Sequence, residues 1–186
     1  MNEELIEKLM KIGDHRIEEE NNLAKRKQVA IDRIKDTMKD FDNISSLYNA
    51  YKHAVGEVDS KKTFKVDLDD VAWCRCSQDG DPFSEHYIEG VGIYICGKPK
   101  HVMCVEDPVP DYLITSDSLY SRYIDEDSHR FFPKVKPIEE KFEYLDYEKA
   151  EHIAKVFSNY PILLKKAVED CINANSELFS KTVCPL

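Results

Sequence analysis

Apolar residues return at every seventh position along the first part of the chain. Met10, Ile17, Ala24, Ile31 and Met38 form one row, and Ile6, Ile34, Phe41 and Tyr48 form a companion row. A sustained heptad repeat puts both rows on one side of a helix and favours a supercoiled seam. No proline precedes Gly56, and Gly13 is the only earlier glycine, so 3–55 reads as helix. The rows are uneven. Gly13, Glu20 and Lys27 fall at companion positions and leave 13–28 weakly apolar. Further on, Ile31, Ile34, Met38, Phe41, Ile44, Leu47, Tyr48 and Tyr51 form a broad stripe. The capping residues Asp42, Asn43, Ser45 and Ser46 predict a break there, with a second helix from Leu47 to Val55 and Gly56 as its stop. Such a stripe serves either of two ends. It is a seam to a second copy or a partner groove, with Ile17, Ile31, Ile34, Met38 and Phe41 as self-association residues, or it packs on the chain's own sheet.

From residue 63 the period changes to two. Thr63 to Leu68 alternates, and Val71 to Cys76 makes a second short strand. The run Ser77 to Pro82 is dense in turn residues. Val91 to Cys96 and His101 to Val105, joined across Gly97-Lys98-Pro99-Lys100, read as a hairpin. Gly90 and Gly92 at its start predict a bulge or a close backbone approach. Tyr112 to Thr115 is a further strand, and 116–137 reads as a polar, aromatic surface loop. Helix resumes after Ile138. Asp146 is placed to cap Tyr147–Phe157, and Pro161 suits the first turn of another helix.

These elements predict an α+β fold: a long N-terminal helical segment able to form a coiled coil, a small antiparallel β-sheet, and C-terminal helices. The expected division is a helical arm over 1–58, an acidic β-rich domain over 59–137, and a helical segment over 138–186 that packs on it.

Charge changes this picture. The chain of 186 residues carries a net −10, and between Asp67 and Asp127 lie 14 acids against 4 bases, a balance of −10 in that segment alone. A field of that sign repels nucleic-acid phosphate and attracts a basic surface. Tyrosines interleave with the acids and suit Arg- and Lys-rich partners. The residues expected to face such a partner are Asp67, Asp69, Asp70, Asp79, Asp81, Glu85, Asp117, Tyr120, Tyr123, Asp125, Glu126 and Asp127. The competing reading is that these acids only keep the protein soluble.

Candidate chemistry adds little. Cys74 and Cys76, with Cys96 and Cys104, are the best metal set, which would be a structural zinc site. The spacing is not the usual C-x-x-C knuckle, and the two thiols on one strand are expected on opposite faces. Buried thiols are the plain alternative. No phosphate-cradling glycine motif and no nucleophile elbow occurs. His152 lies beside Glu148 and Glu151 in what reads as a solvated setting. No stretch approaches the roughly 18 apolar residues of a membrane span, and the acidic start lacks a secretory pattern, so a cytoplasmic protein with reduced thiols is expected.

The function expected from these features is non-enzymatic protein binding, with the acidic, Tyr-rich surface engaging a basic protein such as a nucleic-acid-binding enzyme. Its sharpest form is an inhibitor that mimics nucleic acid, the strategy of phage anti-defence and anti-CRISPR proteins. The alternatives are a structural or scaffold component, such as a virion protein, held by the helical arm and dimerising through it, and a zinc-stabilised regulator or enzyme. No cofactor other than zinc, no membrane and no direct nucleic-acid binding are expected.

Overall fold

The heptad stripe is helical and breaks once. The computed structural model describes residues 2–56, 66–77, 86–97, 109–123, 134–138 and 142–176. Helix α1 spans Asn2–Lys39 and α2 spans Phe41–Val55. The break falls at Asp40, earlier than the capping residues predict, and Gly56 ends α2 by donating its N–H to the Lys52 carbonyl. Phe41, Ile44, Tyr48 and Tyr51 recur at helical spacing on α2, and all four are buried.

The sheet is an antiparallel meander in chain order: β1 (Val71–Ser77), β2 (Tyr87–Ile93), β3 (Tyr112–Ile114), β4 (Leu119–Tyr123) and β5 (Lys134–Pro137). The α+β fold is thus as the sequence predicts, with three corrections among the described residues. Val66 to Leu68 form no strand ahead of β1. β2 takes β1 and β3 as its two neighbours, while the expected return strand, 101–105, lies outside the described residues. The supposed loop 116–137 supplies β4 and β5, paired through Tyr123↔Lys134 to Tyr120↔Pro137.

The outer face of the sheet carries Val71, Trp73, Val91, Ile93, Ile114 and Leu119, and the helices cover it. Trp73 stacks on Tyr48 at 4.6 Å and on Phe41 at 5.8 Å, which joins α2 to β1. Ile34 of α1 is wholly buried in this core, a placement that contributes about 1.5–3 kcal/mol relative to exposure.

The inner face carries Ala72, Cys74, Cys76, Leu113 and Val135 in a second cluster. Val135 of β5 meets residues of β1 because the sheet curls until its edge strands approach each other. The curl requires small residues. A Cβ at Gly92 would lie 2.5 Å from the Cys74 sulfur, and one at Gly90 would overlap the Ile114 carbonyl. The expected close backbone approach is therefore present at Gly90, whereas Gly92 is crowded by the side chains of Cys74 and Pro110.

Helix α3 (Tyr147–Ala174) closes the core. The Asp146 carboxylate caps it, accepting from the Lys149 N–H at 2.8 Å, and the Lys149 ammonium, followed by this capping bond, holds the Asp146 pKa below the usual carboxylate range. Pro161 starts no new helix. It sits inside α3, where it has no N–H to offer the preceding turn. The helix runs through because Phe157, Tyr160 and Leu164 are fully buried on both sides of it.

Candidate functional site

Helix α1 divides into two parts. From Ala30 onward its stripe is buried, with Ala30, Ile31 and Ile34 in the core and Met38 packed against it. Ile31, Ile34, Met38 and Phe41 were expected to hold a second copy, but they pack inside their own chain. Burial there excludes them from a seam between copies. Ile17 is different and stays exposed.

The packing of α1 ends where α3 begins. Arg26 stacks over the Tyr147 ring at 4.5 Å and lies 3.8 Å from the Glu151 carboxylate. The Lys27 ammonium donates to the Glu143 carbonyl at 2.6 Å. N-terminal to these contacts the helix projects as an arm of about 37 Å, taking 1.5 Å per residue. On this arm Leu5, Ile6, Leu9, Met10, Ile12 and Ile17 are each 54–68% exposed. The first five share one side of the helix, and Glu3, Glu4, Glu7, Lys8, Lys11 and Asp14 occupy the other. The arm is stiffened along its polar side by Glu4–Lys8 at 2.7 Å and Glu7–Lys11 at 2.8 Å, both in the favourable acid-first order.

The acidic residues do not form one described surface. Asp67, Asp69 and Asp70 precede β1, at the sheet end where Asp111 accepts from the Ile95 N–H at 2.9 Å. Asp117 is at the opposite end, in the β3–β4 turn, where it accepts from the Thr115 hydroxyl at 2.8 Å. Tyr120 packs on the inner cluster, and Tyr123 lies in β4. Asp79, Asp81, Glu85, Asp125, Glu126 and Asp127 lie outside the described residues. Arg75 is 3.8 Å from Glu89 and stacks over Tyr87 at 4.2 Å, and Arg122 is 2.9 Å from Asp111.

For the metal set, residues two apart on a strand share a face. Cys74 and Cys76 accordingly both point into the curled sheet, contrary to the expected opposite faces. The Cys74 sulfur is 3.2 Å from the Tyr94 hydroxyl. Cys96 is exposed in the turn after β2, and Cys104 lies outside the described residues. Among the described residues no three His, Cys, Asp or Glu side chains gather as a metal site. His152 is not in the solvated setting expected of it, because its Nε2 is buried without a hydrogen-bond partner among the described residues.

Comparison with known proteins finds no matching family, no matching curated protein and no matching solved structure.

Proposed function

We propose that this chain is a protein-binding module whose projecting α1 arm is the docking element, with the curled sheet and its three helices as the body the arm is anchored to. One observation carries the reading. The stripe that is buried downstream continues for about 25 residues past the start of α3, by the length of helix that a 37 Å projection implies, and its large apolar side chains are exposed. A row of exposed leucine, isoleucine and methionine at helical spacing fits the helix-in-groove and helix-pair modes of recognition.

The test is site-specific photo-cross-linking in the native host. A photoreactive side chain at Leu9, on the apolar side, is expected to give discrete protein adducts, whereas one at Glu18 on the polar side gives far fewer. Equal labelling at the two positions, or none at Leu9, removes the proposal.

A second reading concerns the acidic segment. Its two described arginines are each beside one of the segment's own acids, which leaves the remaining acids to set the local field. This supports contact with a basic protein, including one whose nucleic-acid channel the segment would occupy. Neutralising Asp125, Glu126 and Asp127 together is then expected to weaken salt-sensitive binding to such a protein, and unchanged binding would remove this reading.

A further inference from the structure

We draw no further inference here: the strongest candidate, the exposed apolar face of the projecting α1 arm along Leu5, Ile6, Leu9, Met10 and Ile12, belongs to the site already described, and nothing in the structure shows what covers it.

Discussion

Tyr160 shows how one side chain can burden a core. Its ring is fully buried on α3, and its hydroxyl points toward the Trp73 backbone N–H without closing a hydrogen bond to it. Burial, assisted by the nearby Asp67 carboxylate, raises its pKa far above the ordinary value of 10.0. A group whose folded pKa is raised contributes stability below its unfolded pKa and loses it as pH climbs above that value. Tyr160→Phe is therefore expected to leave urea stability at pH 7 unchanged or higher, since no hydrogen bond among the described residues is lost, and to flatten the alkaline loss expected of the wild-type chain above pH 10. An equal alkaline loss in both proteins would contradict this. The glycines give a second contrast. Gly90→Ala drives a methyl group into the Ile114 carbonyl, and is expected to cost about 1–3 kcal/mol. Gly13→Ala meets no atom within 4 Å, and should instead raise the helix content of the arm, alanine being favoured over glycine by roughly 0.5–1 kcal/mol in a helix interior. Urea midpoints for the first and circular dichroism for the second decide the signs.

Among the elements, α1 serves two purposes. Its inner part places Ala30, Ile31 and Ile34 in the core, and its outer part contributes no buried side chain. Deleting residues 2–24 is expected to leave the unfolding free energy within about 0.5 kcal/mol of the full chain, the usual range for surface changes. Fluorescence of Trp73, the single tryptophan, follows that transition. A large loss would mean that the arm is part of the domain. The heptad rows were legible in the sequence, but the division between them was not. Ile17 and Ile31 occupy the same heptad position, and only the starting point of α3, fixed by Arg26 and Lys27 against Tyr147, Glu151 and Glu143, decides which of the two is buried. β4 and β5 were hidden for a related reason. Leu119–Tyr123 and Lys134–Pro137 have weak strand patterns, and they become strands because β3 offers β4 a ladder in register and β4 offers one to β5. By contrast, the Asp146 cap and the close approach at Gly90 were readable, because each depends on local backbone chemistry.

At the scale of the whole molecule, a curled five-stranded sheet packs its outer face on three helices and encloses Cys74, Cys76, Tyr94 and Leu113 on its inner face, and one of those helices extends well past the body. None of the described polar groups outside the arm gathers into a single site, since Asp67, Asp69 and Asp70 lie at one end of the sheet and Asp117 at the other. The central claim is that the exposed apolar face of the arm is an interaction surface. Photo-cross-linking in the native host tests this most directly, with the reactive side chain placed at Ile12 on the apolar side or at Lys11 on the polar side. The account predicts discrete protein adducts from Ile12 and far fewer from Lys11. Equal labelling at the two positions, or none at Ile12, would contradict it.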